Sequence, residues 1–61
     1  MTFKELKKIL KNNGCELYEN GANHEIWINK SNGKKFTVSR HGSQDVKKGT
    51  YNAILKQAGI K

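Results

Sequence analysis

The sequence predicts an α+β fold with the element order αβββα: a three-stranded antiparallel sheet carrying both helices on one face. Three observations predict it. An apolar stripe with helical spacing runs through the first dozen residues, two alternating segments flank Ser31-Asn32-Gly33, and a second helical stripe runs from Tyr51 to Ala58. Two helices with one apolar stripe each and a sheet with one apolar face pack together most simply when both helices cover that face and the other stays open.

The first helix is expected over roughly residues 2–13. Thr2 with Glu5 makes a capping-box pattern, and Phe3, Leu6, Ile9 and Leu10 fall on one face. Asn13-Gly14 suits its C-terminal cap, after which Cys15 to Glu19 reads as a short strand ended by a turn at Asn20-Gly21. His24 to Asn29 and Lys35 to Arg40 form a hairpin. Its expected pairing puts Ile26 and Ile28 on the apolar face with Phe36 and Val38, leaving Trp27, Thr37 and Ser39 opposite. Tyr51, Ile54, Leu55 and Ala58 mark a second helix over roughly residues 50–58, with Thr50 as N-cap and Gly59 as stop.

A chain of 61 residues is expected to form a single domain, residues 1–61, near the size at which a core alone can hold a fold. The lone Cys15 has no partner for an internal disulfide, and no Cys/His spacing suggests a metal site, so no metal or other cofactor is expected. Neither an export signal nor an apolar run of about 18 residues is visible, which points to the cytoplasm and away from a membrane.

Twelve Lys/Arg against five Asp/Glu give a formal charge of +7, which favours a polyanionic partner. Lys30, Lys34 and Lys35 cluster at the hairpin turn, where they could track a nucleic-acid backbone. Lys47 and Lys48 precede the last helix, whose N-terminal amides form an anion site. Gly33-Lys34-Lys35 lacks the glycine spacing of a P-loop. Arg40 can match phosphate oxygens with two donors or simply cover the sheet edge. Trp27 offers a ring for base stacking or, preferably, an anchor for a protein partner, alongside His24. His24 itself, at the mouth of a strand, is either an exposed polar residue or a proton-transfer group.

Three segments weigh on that choice. GANHEIW (residues 21–27), GKKFTVSRH (residues 33–41) and KKGTYNAILKQAG (residues 47–59) together resemble the HicA toxins, small ribonucleases of bacterial toxin–antitoxin pairs. The resemblance covers nearly the whole chain in the family's order, and αβββα is also the topology of the double-stranded RNA-binding domain. The matching positions are Gly21, Ala22, His24, Val38, Arg40, His41, Lys47, Gly49, Thr50, Ala58 and Gly59. Two positions depart from the family pattern: Ser39 stands where the family usually has Pro, and Ala22 where Ser is common.

The resemblance implies a bacterial cytoplasmic endoribonuclease that cuts messenger RNA without metal. It further implies a chain that is monomeric alone and forms a hetero-oligomer with a HicB-type antitoxin that silences it. His24 becomes the catalytic residue, preceded by a turn at Gly21 and Ala22. The chemistry agrees, because RNA cleaves when its 2′-hydroxyl attacks the adjacent phosphorus, and the protein need only take one proton, give one and balance charge. His24 is the expected general base, while His41 and Arg40 are candidates for support, as acid and phosphate contact respectively. A non-catalytic RNA-binding module of the same fold, or a protein-docking module, remains open on the sequence.

Overall fold

The computed structural model describes residues 1–60. Its elements follow the expected order: α1 (Phe3–Asn12), β1 (Cys15–Asn20), β2 (His24–Asn29), β3 (Lys35–Ser39) and α2 (Lys48–Ala58). The strands form one antiparallel sheet in the order β1-β2-β3.

The capping box starts α1 where the sequence places it. Thr2 Oγ1 accepts the Glu5 amide at 3.3 Å while the Glu5 carboxylate accepts the Thr2 amide at 3.0 Å. Two more first-turn amides, those of Phe3 and Lys4, donate to the carbonyls of Gln44 (3.0 Å) and Gly42 (2.9 Å). A helix start needs such acceptors, and here the loop after β3 supplies them. Phe3, Leu6 and Leu10 are buried, and Ile9 is half-buried.

The register of the hairpin corrects the expected faces. Trp27 pairs with Phe36 and Glu25 with Val38, so even-numbered residues of β2 oppose odd-numbered residues of β3. Alternation then puts Trp27, Phe36 and Val38 together beneath the helices and turns Ile26, Ile28 and Thr37 to the open face. Trp27 is only 2 % exposed and belongs to one core with Leu6, Leu10, Cys15, Ile54 and Leu55. It can therefore be neither a stacking platform nor an antitoxin anchor. Tyr18 takes the exposed position instead: it lies at an irregularity in the β1–β2 pairing, and its ring carries the Lys35 ammonium at 4.0 Å.

Glu25 shares the covered face with Trp27. Its Oε1 accepts the Trp27 indole N–H at 3.0 Å and meets Lys7 Nζ of α1 at 2.9 Å. This ion pair is largely shielded and draws α1 onto β2. Burial raises the affinity of the Glu25 carboxyl for a proton, but those two bonds and the charges of Lys7 and Arg40 outweigh it and hold the group below its usual range.

α2 begins two residues before the expected start. Lys47 is the N-cap, without a side-chain bond, and Thr50 lies inside the first turn. The helix ends as expected at Ala58, with Gly59 at φ +77°, a conformation that favours glycine. Asn29, buried at the end of β2, donates to the Ala58 carbonyl at 2.7 Å and accepts from the amide and hydroxyl of Ser31. Asn32 donates to the same carbonyl at 3.0 Å. The hairpin turn thus caps the end of α2 and fixes that helix against the sheet.

Candidate active site

His24 opens β2 and pairs directly with Ser39, the last residue of β3. Alternation turns their side chains, like that of Thr37 two residues along, to the open face, so they approach α2 only around β3, an edge strand of the sheet. These three residues line a cleft of about 420 Å³ together with Gly49, Thr50 and Ala53 of α2 and the buried Phe3 and Ile54. His24 is exposed, so its imidazole is open to solvent and to a ligand in the cleft.

The α2 wall of this cleft carries positive charge. The first intrahelical bond runs from the Tyr51 amide to the Lys47 carbonyl at 2.9 Å, so the amides of Lys48, Gly49 and Thr50 have no acceptor within the helix. The N-cap, Lys47, makes no side-chain bond to this end, and no acidic residue lies in its first turn. The helix dipole, three open amides and the exposed Lys47 and Lys48 together favour an anion beside His24.

The turn before His24 is tightly built. The Gly21 amide donates to the His24 carbonyl at 2.7 Å, closing a connection through Ala22 and Asn23. A Cβ on Gly21 would sit 2.8 Å from that carbonyl oxygen, too close for any side chain, which explains why a glycine stands there. Arg40 reaches across from the end of β3. Its Nη1 donates to the Ala22 carbonyl at 2.7 Å and approaches that of Gly21 at 3.5 Å.

The Ser39 hydroxyl accepts the His41 amide at 3.2 Å and so turns the chain as it leaves β3. The loop then continues through a bond from the Gln44 amide to the His41 carbonyl and through the contacts that hold Gly42 and Gln44 to α1. His41 is exposed on this loop, at the His24 end of the sheet but outside the lining of the cleft.

The expected lysines divide into two groups. Lys47 and Lys48 immediately precede Gly49 of the cleft wall, whereas Lys30, Lys34 and Lys35 lie toward the hairpin turn, about 13–20 Å along the strands from His24 at roughly 3.3 Å per residue. In that second group Lys30 pairs with Glu16 at 3.3 Å and Lys35 covers Tyr18. Cys15 is buried, which pushes its thiol up, and among the described residues no three His, Cys, Asp or Glu side chains gather as a metal site. The Arg40 bond to the turn and the Lys7–Glu25–Trp27 cluster were not read from the sequence. Each joins residues far apart in the chain, and no local pattern announces them.

A family model described as the HicA toxin of bacterial toxin–antitoxin systems matches residues 3–60. The chain is also 37 % identical, over 62 aligned positions covering all of both chains, to a protein of Photorhabdus laumondii subsp. laumondii named probable mRNA interferase HicA 2. No solved structure matches the chain.

Proposed function

Because this chain belongs to the HicA toxin family of bacterial toxin–antitoxin systems, we propose that it cuts messenger RNA at a phosphate held between His24 and the open start of α2. The toxin role and the endoribonuclease activity follow from the family. The assignment of His24 rests on one observation: His24 lines the same cleft as Gly49 and Thr50, which lie in the first turn of α2, a helix start with no side-chain cap.

The geometry supports a transesterification. A phosphodiester at the start of α2 lies against amide donors and the charges of Lys47 and Lys48, which oppose the negative charge that grows on the phosphorane. The neutral imidazole of His24 removes the proton from the neighbouring 2′-hydroxyl. The 2′-oxygen bonds to phosphorus, the bond to the 5′-oxygen breaks, and a proton passes to that leaving oxygen, with His41 as the candidate donor. The products are a 2′,3′-cyclic phosphate and a 5′-hydroxyl. The nucleophile comes from the RNA, so the reaction calls for neither a metal-bound water nor a cofactor.

A HicB-type antitoxin is the proposed inhibitor, acting in the bacterial cytoplasm on a toxin that is monomeric when free. The charge of +7 suits fast association with an acidic antitoxin surface. Among the described residues, no helix is long and apolar enough to cross a membrane.

The test is cleavage of a single-stranded RNA in excess EDTA, with the new 3′ end identified and a 2′-deoxy substitution placed at the cut. The expected result is a cyclic phosphate from the all-ribose strand and no cut at the deoxy position. Cleavage at the deoxy position, or activity abolished by EDTA, would refute the mechanism. Binding without cleavage of either strand would instead support a non-catalytic RNA-binding module.

A further inference from the structure

Arg40 has an obvious role as a phosphate contact, but the structure commits one nitrogen of its guanidinium, Nη1, elsewhere. Nη1 lies 2.7 Å from the Ala22 carbonyl and 3.5 Å from that of Gly21. Both carbonyls belong to the short connection that delivers the chain to His24. We propose that Arg40 is a positioning residue: it locks the Gly21–Asn23 turn and thereby sets the placement of the His24 imidazole in the cleft.

The turn has a specific need for such a lock. Gly21 and His24 close it with one bond, at 2.7 Å, leaving Ala22 and Asn23 as the two connecting residues. Two-residue hairpin connections are favoured as type I′ or II′ turns, whose twist matches that of the strands and which require a positive φ. Within this connection no residue has a positive φ: among the described residues only Gly14, Gly33 and Gly59 do. The backbone here therefore lacks the conformation that would make the turn stable by itself. An outside donor to the Ala22 carbonyl supplies the constraint, and a charged donor makes a strong hydrogen bond.

Topology puts Arg40 in reach. It directly follows Ser39, the partner of His24 in the ladder, so its backbone lies at the same end of the sheet as the turn. The chain beyond it is held in turn, since the loop carrying Gly42 and Gln44 is bonded to the start of α1. One end of the lock is thus anchored in the helix layer and the other in the connection before the imidazole. Small displacements at a reacting group have large effects on rate.

This inference rests on His24 acting in cleavage, and its test separates the two claims. Wild type, Arg40→Ala and Arg40→Lys are compared by single-turnover cleavage over a range of RNA and salt concentrations. Amide exchange at Ala22, Asn23 and His24 is followed in parallel by NMR. For Arg40→Ala the expected result is a fall in kcat of about tenfold or more with KM within about twofold, and faster exchange at those three amides. The slope of log(kcat/KM) against log salt should stay as in the wild type. Arg40→Lys, which keeps one donor for the Ala22 carbonyl, should recover most of the rate.

A raised KM with the salt slope reduced by about one would mark a phosphate contact and overturn the proposal. Wild-type kcat in Arg40→Ala, or unchanged exchange at the three amides, would also overturn it. If the wild type itself does not cut RNA, the proposed function fails, and the exchange data alone decide whether Arg40 locks the turn.

Discussion

Replacing Trp27 by alanine should unfold the protein or bring it close to unfolding, whereas Ile26→Ala should be mild. Trp27 is 2 % exposed among helix and strand side chains, while Ile26 is only half-buried on the open face. Truncating a buried tryptophan costs about 3–5 kcal/mol. Here the loss also leaves the shielded Glu25 carboxylate without its indole donor, with Lys7 as its direct partner and the more distant charge of Arg40. At about 0.05–0.15 kcal/mol per residue, a chain of 61 residues holds roughly 3–9 kcal/mol in total. The two quantities are comparable, so Trp27→Ala should show little or no native baseline in urea. Ile26→Ala should lose less, about 1–2 kcal/mol, since part of its surface is already in water. The single tryptophan disappears in the first variant, so helix content by circular dichroism is the appropriate signal. Equal losses in the two variants, or the larger loss at Ile26, would refute the register and restore Trp27 to the open face.

Two further outcomes concern the turn and the ion pair. Gly21→Ala forces a Cβ toward the His24 carbonyl, 2.8 Å away, so cleavage should drop by more than tenfold while the thermal midpoint shifts by only a few degrees; wild-type cleavage rates would contradict the packing read at this turn. Glu25 is held below its ordinary value of 4.5, so the stability it contributes is present above that value and lost as pH falls through the depressed one. Urea midpoints from pH 7 down to pH 3 should show a shallower acid limit for Glu25→Gln than for wild type, and parallel curves would exclude Glu25 as a source of the acid sensitivity.

The element order was legible because its signals are local. Thr2 and Glu5 are three residues apart, Ser31-Asn32-Gly33 is a contiguous turn, and the stripe from Tyr51 to Ala58 lies within one helix. The sheet faces were not legible, because β2 is apolar on both sides. Ile26 and Ile28 outweigh Trp27 in number, and the true parity depends on how many residues the hairpin turn holds, closed here by the bond from the Asn29 amide to the Lys34 carbonyl. The early start of α2 escaped notice because Thr50 resembles a cap, whereas Lys47 makes no side-chain cap bond. Within the site, His24, Lys47 and Lys48 could be picked out by residue type and position. The Arg40 bond spans 18 residues and the Asn29 bond to Ala58 spans 29, so both arise only once the chain is folded.

The most direct test of the account compares wild type with His24→Ala, measuring single-turnover cleavage of one RNA and its binding affinity under the same conditions. Loss of a group that transfers a proton in the transition state should lower the rate by about 100-fold or more while the affinity stays within about twofold. Cleavage by His24→Ala within about threefold of the wild type would contradict the placement of His24 at the centre of the reaction.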